Sequence, residues 1–136
     1  MPETTMPHAR TILTHARAIL ARADWAKGDY AFTYDGCSAK PYSPKAQYYC
    51  AVGAVMRAAW ELYDWQISTI DEEPKPSPFE DALAYLQSAA RRRRFMSIAS
   101  LNDTEGTTLD LVLAAYDDAL AELDTLLEID DCAELI

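Results

Sequence analysis

A leucine-rich stripe near the end of the chain constrains its fold more than any other feature of the sequence. Apolar side chains recur there at steps of four and three residues, which is the spacing of one buried face of an α-helix. The pattern predicts a helix over residues 109–128 that packs against two neighbours, or against one neighbour and a second copy of the chain. Its members are Leu109, Leu113, Tyr116, Leu120, Leu123 and Leu127, widened by Val112, Ala119 and Leu126.

Two further helices are predicted in the first half of the chain. Residues 7–25 carry an amphipathic pattern, and residues 45–63 follow Ser43 and Pro44, a cap and a proline that suit the start of a helix. The second of these helices is rich in small side chains and includes Gly53, which costs about 1 kcal/mol relative to alanine inside a helix. A neighbour packed closely against Gly53 would justify that cost, so we expect this helix to be the central one.

The second half of the chain has its own boundary signals. Ser77 and Glu80 form a capping-box pattern at the start of a predicted helix, which ends within the arginine run at 91–94. The short apolar segment 95–101 is predicted to be a strand or an extended segment. Asn102 and Asp103 follow it and are typical of a turn.

A short hairpin is predicted between the first two helices. Aromatic residues alternate with small ones around Asp35 and Gly36, a pair that is common in hairpin turns. We expect a two-stranded hairpin over residues 30–40 whose aromatic rings lie against a helix, since an isolated hairpin is marginally stable. Tyrosines as dense as those around Tyr30 and Tyr34 either close the edge of a core or form a contact surface. Both interpretations stay open.

The predicted fold is therefore mainly α, a single small domain of about four helices with a short β-hairpin. The 136 residues fit one domain, with an ordered core at 6–128 and an acidic tail at 129–136. The beginning of the chain has no signal-peptide pattern, and no apolar run approaches the ~20 residues that a membrane span needs. We expect a cytoplasmic protein with no membrane contact.

The acidic residues are unevenly distributed, which bears on possible partners. The net charge is -10, and residues 95–136 hold 11 acidic residues without a lysine or arginine. Such a segment excludes direct nucleic-acid binding, which needs a basic face, and favours a protein partner with a basic surface. The alternatives are a solvated face or pairing with the arginines at 91–94. The candidate binding residues on this helix are Asp110, Asp117, Asp118, Glu122 and Asp124.

One cysteine is a candidate nucleophile. Cys50 lies at a predicted helix start, where the helix dipole would lower its pKa. A cysteine hydrolase also needs a base, for which His15 is the candidate, with Asn102 or Asp103 to orient it. The competing interpretation is that Cys50 is a small apolar side chain in a core. The spacing of the three cysteines and two histidines matches no metal site, so neither a metal nor a cofactor is expected.

Several short motifs occur in a characteristic order. Trp25-x-x-Gly28, Cys50-x-x-Gly53-Ala54 and Asn102-Asp103 before a leucine-rich helix resemble an uncharacterised bacterial and phage family, the domain of unknown function six-one-nine-seven. The resemblance extends from about residue 12 to residue 123. It implies no activity, and its occurrence in phages implies an accessory or anti-host role. It also implies that the motif residues form one constellation: Trp25, Gly28, Cys50, Gly53, Ala54, Asn102 and Asp103.

Two functional hypotheses follow from the sequence. The first is a non-enzymatic interaction protein of phage type that binds a basic protein surface through the acidic helix face, or through Tyr30 and Tyr34. One version of it is an inhibitor of a host nucleic-acid-handling defence system, and a homodimer through the helix at 109–128 is compatible with it. The second is a small cysteine-dependent hydrolase that uses Cys50.

Overall fold

Five helices and three short strands are found in the part of the chain that the computed structural model describes, residues 6–22, 24–63 and 78–134. The protein is mainly helical with a small antiparallel sheet, as the sequence predicts. The helices are α1 (Met6–Ala21), α2 (Ala51–Tyr63), α3 (Pro78–Arg92), α4 (Ile98–Asp103) and α5 (Leu109–Glu134), and the strands are β1 (Ala31–Thr33), β2 (Ser38–Ala39) and β3 (Ala46–Tyr49).

Helix α2 packs against α1, α3, α4 and β3, and every residue from 51 to 56 is buried. The helix that packs extensively against the three other long helices is α1, which contacts α2, α3 and α5, so the central place predicted for α2 is not confirmed. Gly53 explains how a loop can cross the helix so closely. A Cβ atom at this position would lie 1.8 Å from the carbonyl oxygen of Tyr30, so only glycine permits the contact.

Helix α5 starts at Leu109, where the leucine stripe predicts it. Thr108 caps it, because the Leu111 N–H lies 3.4 Å from the Thr108 hydroxyl oxygen. The helix continues to Glu134 instead of ending at residue 128, since no glycine or proline interrupts it. It packs on α1 and α3, two neighbours in the same chain. The buried Tyr116 hydroxyl donates to the Ala51 carbonyl at 2.6 Å and joins α5 to the start of α2.

The prediction of helix from residue 45 is wrong for its first six positions. Residues Ala46–Tyr49 form β3, which pairs antiparallel with β1 in a sheet of order β2-β1-β3. The Lys45 N–H donates to the Ser43 hydroxyl at 3.1 Å, so the Ser-Pro pair begins a turn and not a helix. A local capping pattern cannot reveal this outcome, because it depends on a strand formed by distant residues.

The first helix is also shorter than predicted. It ends at Ala21, and Trp25 instead forms a parallel bridge with Tyr49. The Tyr49 N–H donates to the Asp24 carbonyl at 2.7 Å, and the Ala26 N–H donates to the Tyr49 carbonyl at 2.9 Å. These long-range bonds hold the chain extended after α1.

The prediction of a strand or extended segment over 95–101 is wrong from residue 98 onward, because Ser97 caps the short helix α4. Its side chain accepts a hydrogen bond from the Ser100 N–H at 3.0 Å, and the Gln87 side chain accepts one from the Ile98 N–H at 2.7 Å. Asn102 and Asp103 form the last turn of α4 and do not begin a loop. The local signal for this helix is Ser97, a residue type that commonly caps the start of a helix.

The predicted hairpin turn is confirmed, but the prediction that its aromatic rings are buried is not. Strands β1 and β2 pair across the turn at Asp35 and Gly36. The Tyr34 side chain is 82% exposed and Tyr30 is 48% exposed, so these rings do not lie against a helix. The small side chain of Ala31 is the one buried on β1, on the face of the strand opposite to Phe32.

Helix α3 begins at Pro78 and ends at Arg92, within the arginine run as predicted. The capping residue Ser77 lies outside the described residues. No helix in the described ranges is both long and apolar enough to cross a membrane.

Candidate functional site

A buried asparagine joins three separate segments of the chain. The Asn102 Oδ1 atom accepts hydrogen bonds from the Trp25 indole N–H at 2.6 Å and from the Ala51 N–H at 2.9 Å. Its Nδ2 atom donates to the Ala26 carbonyl at 3.1 Å and to Asp103 Oδ1 at 2.9 Å. All four hydrogen-bonding sites of the amide are therefore used, and the side chain has no capacity left for catalysis.

The neighbouring residues extend this group of hydrogen bonds around Asn102, which we call the frame. Asp103 Oδ1 also accepts from the Gly28 N–H at 3.1 Å, and Gly28 has a φ of 102°, which favours glycine. The Cys50 N–H donates to the Tyr30 carbonyl at 3.2 Å, above Gly53. The structure thus brings together the residues that the family resemblance groups: Trp25, Gly28, Cys50, Gly53, Ala54, Asn102 and Asp103.

A pocket of about 240 Å³ opens against this frame. Its walls come from the loop before β1, from the start of α2 and from α4, so residues far apart in sequence meet there. Two carboxylates and a half-exposed tyrosine line it above a buried thiol. The pocket is lined by Gly28, Asp29, Tyr30, Cys50, Ala99, Asn102 and Asp103.

The thiol in this pocket is not activated. Cys50 is 6% exposed, and burial raises the pKa of its thiol. The N–H groups of Gly53 and Val52 at the start of α2 lower that pKa, but they do not outweigh burial and the charges of Asp103 and Asp29. A cysteine nucleophile requires the opposite shift.

The proposed catalytic base has a different partner. His15 Nε2 lies 2.7 Å from Glu61 Oε2, and no described hydrogen bond joins His15 to Cys50. Arg57 donates to Glu61 at 2.6 Å and also to the carbonyls of Pro41 and Ser43. This network joins α1, α2 and the loop before β3. A structural role in joining these segments therefore explains the position of His15 without a catalytic one.

Most of the candidate carboxylates on α5 form ion pairs with arginines of the same chain. Arg17 binds Asp117 through two hydrogen bonds of 2.6 and 3.1 Å, and Arg93 binds Asp118 at 2.9 Å. The pairing that was an alternative for the arginine run therefore occurs. It extends to α1, so four of the five candidate carboxylates on α5 have arginine partners. The pairs are Arg10–Asp124, Arg17–Asp117, Arg92–Glu122 and Arg93–Asp118.

Sequence reasoning missed Asp29 and Ala99 as lining residues of the pocket. Neither belongs to a recognisable motif, and the pocket exists only because α4 lies beside the loop that follows α1. The one available signal is that Asp29 follows Gly28 directly.

The comparisons with known proteins give one match. A family model described as "Family of unknown function (DUF6197)" matches residues 4–122. The searches of curated proteins and of solved structures gave no match. The description of the matching family assigns no activity.

Proposed function

The chain belongs to DUF6197, a family of unknown function, and on that premise we propose that it is a non-enzymatic interaction protein that binds a basic protein surface. The observation that carries the proposal is a set of carboxylates that form no ion pair within the described part of the chain, together with two exposed tyrosines. We call this surface the acidic aromatic face. It consists of Asp29, Tyr30, Tyr34, Asp35 and Asp103.

The carboxylates of this face are available to a partner. The Ser38 hydroxyl and the Tyr30 N–H lower the pKa of Asp29, and the Thr33 hydroxyl lowers the pKa of Asp35. Neither of these carboxylates nor Asp103 forms an ion pair with any described residue. They therefore contribute negative charge that no ion pair with a described residue compensates.

The tyrosines of this face add contact area. Tyr34 projects at the tip of the hairpin, and about 13 Å of extended strand separates it from Tyr30 at the pocket. Tyrosine is enriched at protein interfaces because its ring is apolar while its hydroxyl can bind water or a polar partner. The face thus combines charge with the aromatic contacts that commonly dominate binding energy.

A finer version of the proposal is an inhibitor of a nucleic-acid-handling defence system. Its support is the net charge of -10 together with the phage association of the family resemblance. The carboxylates that imitate phosphates would then be those of the acidic aromatic face, since those of α5 are largely paired. A homodimer through α5 has less support, because α1 and α3 cover the leucine stripe.

The proposal is tested by capture of a partner from lysate with matched variants. Tyr34→Ser combined with Asp35→Asn alters the face. The control, Leu62→Ser combined with Glu128→Gln, likewise removes one exposed apolar side chain and one carboxylate charge, but elsewhere on the surface. We expect one partner that is retained at about 0.05 M salt, lost at about 0.5 M salt, and lost with the first variant only. Retention by the first variant, or binding that ignores salt, contradicts the proposal.

The hydrolase alternative is tested by the rate of thiol alkylation in a Cys132→Ser background. Cys37 is exposed and Cys50 is buried with a raised pKa, so we expect Cys50 to react about 100-fold more slowly at pH 8. A fast reaction at Cys50, saturating near neutral pH, would restore the enzyme hypothesis.

A further inference from the structure

The pocket on the acidic aromatic face has the dimensions and walls of a socket for one side chain. Its volume is about 240 Å³, and its walls come from three segments fixed to one another by the hydrogen bonds of Asn102. The socket is therefore preorganised, which reduces the entropy cost of binding.

The two carboxylates of the pocket lack a cation. Asp103 Oδ1 accepts two hydrogen bonds inside the frame, and no described donor reaches its Oδ2 atom. The nearby Lys27 ammonium instead donates to the Thr104 carbonyl at 3.0 Å and lies 5.5 Å from the centre of the Trp25 ring. Asp29 and Asp103 thus border a cavity that holds negative charge and no described positive group.

The buried Cys50 thiol closes the floor of the pocket. Its Sγ atom accepts a hydrogen bond from the Gly53 N–H at 3.3 Å and lines the cavity. A buried cysteine behaves as a small apolar group, so the charged walls, and not the floor, decide which side chain the pocket favours.

We propose that this pocket receives the guanidinium group of one arginine side chain from the protein partner. This inference rests on the proposed function and names the chemistry of its contact. A guanidinium group is planar, donates to carboxylates on two sides and stacks against aromatic rings such as that of Tyr30. It is also less strongly hydrated than the lysine ammonium, so entry into a partly enclosed pocket costs it less.

The direct test uses the side chain without the protein. N-acetyl-arginine amide is titrated into isotope-labelled protein while the Trp25 indole and Gly28 amide signals are followed by NMR. We expect saturable shifts of both signals, binding about tenfold weaker for the lysine analogue, and no binding of the uncharged citrulline analogue. Equal binding of arginine and citrulline analogues, or no shift with either, overturns the proposal.

Two variants distinguish binding in the pocket from a general effect of the net charge. Asp103→Asn keeps an oxygen for the Gly28 N–H and removes the charge, and we expect about tenfold weaker binding of the arginine analogue. Glu128→Gln is the matched control, since about 28 Å of helix separates it from the start of α5, and it should leave binding unchanged. Equal losses in the two variants would show that only net charge matters and would overturn the proposal.

A second variant fills the pocket without touching its charges. Ala99 is exposed on α4 and lines the cavity, and Ala99→Leu keeps good helix propensity. We expect the fold and melting temperature to be retained while binding of the arginine analogue is lost. A partner that still binds Ala99→Leu as it binds the wild type leaves the proposed function standing and overturns the socket. An arginine analogue that binds without any salt-sensitive protein partner supports the socket and overturns the proposed function.

Discussion

Helix α5 and the pocket beside α4 both carry carboxylates, but the partners of these carboxylates differ. On α5, four half-exposed carboxylates meet arginines of α1 and α3. At the pocket, Asp29 and Asp103 accept hydrogen bonds from backbone N–H groups and meet no described cation. The pocket thus keeps carboxylates without ion pairs although its part of the chain is not rich in acidic residues, because the position of the arginines decides which carboxylates are paired.

The two regions also differ in what stabilises them. Buried hydrogen bonds and one close helix–loop crossing hold the pocket, whereas exposed ion pairs hold the outer edges of α5. A buried donor that loses its acceptor costs about 1–3 kcal/mol, while an exposed ion pair contributes about 0–1 kcal/mol. We therefore expect substitutions in the pocket frame to have much larger effects on stability than substitutions on α5.

The largest effect is expected for Asn102→Ala. It leaves the Trp25 indole N–H and the Ala51 N–H without their common acceptor, so the free energy of unfolding should fall by about 3–5 kcal/mol. Denaturant unfolding followed by tryptophan fluorescence measures it. Gln87→Ala is the control, since it removes a single bond to the Ile98 N–H and should cost about 1 kcal/mol. Equal losses of stability in the two variants would show that the hydrogen bonds of Asn102 contribute no more than a single bond does.

A slightly smaller loss is expected for Gly53→Ala. The new Cβ would lie 1.8 Å from the Tyr30 carbonyl oxygen, and the loop cannot move without breaking the bond to the Cys50 N–H. We expect a loss of about 3 kcal/mol despite the better helix propensity of alanine. Gly36→Ala, in open space at a φ of 90°, should cost about 1–2 kcal/mol. A neutral Gly53→Ala would show that the crossing is not close.

A third effect depends on pH. Burial raises the pKa of Glu61, but hydrogen bonds and charges from Arg57 and His15 outweigh it and place that pKa below its ordinary value. A lowered folded-state pKa stabilises the protein above the unfolded value near 4.5, and this contribution is lost as the pH falls through the folded pKa. The stability difference between the wild type and Glu61→Gln should therefore shrink below about pH 4.5. A stability difference between these two proteins that grows as the pH falls would contradict the stabilising role of the bonds from Arg57 and His15 to Glu61.

The smallest effect is expected for the ion pair between Arg17 and Asp117. A double-mutant cycle with Arg17→Gln and Asp117→Asn should give a coupling energy of about 0.5 kcal/mol, because both side chains are largely solvated. About 1 M salt should reduce it further, since screening then acts over about 3 Å. A coupling energy above about 2 kcal/mol would remove the energetic contrast between α5 and the pocket.

Local patterns predicted much of the fold. The leucine stripe placed the start of α5, the arginine run placed the end of α3, and Asp35-Gly36 placed the hairpin turn. Each of these signals acts through neighbours within about one helical turn or one β-turn. The small side chains around Gly53 predicted a close crossing but not the group that makes it, which is the Tyr30 carbonyl.

The candidate site was only partly predictable. The family resemblance grouped Asn102 and Asp103 with Trp25 and Cys50, and the structure joins them. It did not indicate that Asn102 uses all its hydrogen bonds in the frame, or that Cys50 is buried with a raised pKa. It also gave no sign of Asp29, because a pocket wall depends on which distant segments become neighbours.

The sequence by itself determined that this chain is mainly helical, that a neighbour passes close to Gly53 and that the acidic residues concentrate toward the end of the chain. Periodicity, side-chain size and composition are properties of short segments, so they can be known without a structure. Only the tertiary structure decided that β3 replaces the start of a helix, that arginines cover the acidic face of α5 and that a charged pocket stays open beside α4. Each of these depends on Coulombic or hydrogen-bonding partners from distant segments, and those partners exist only after the chain has folded.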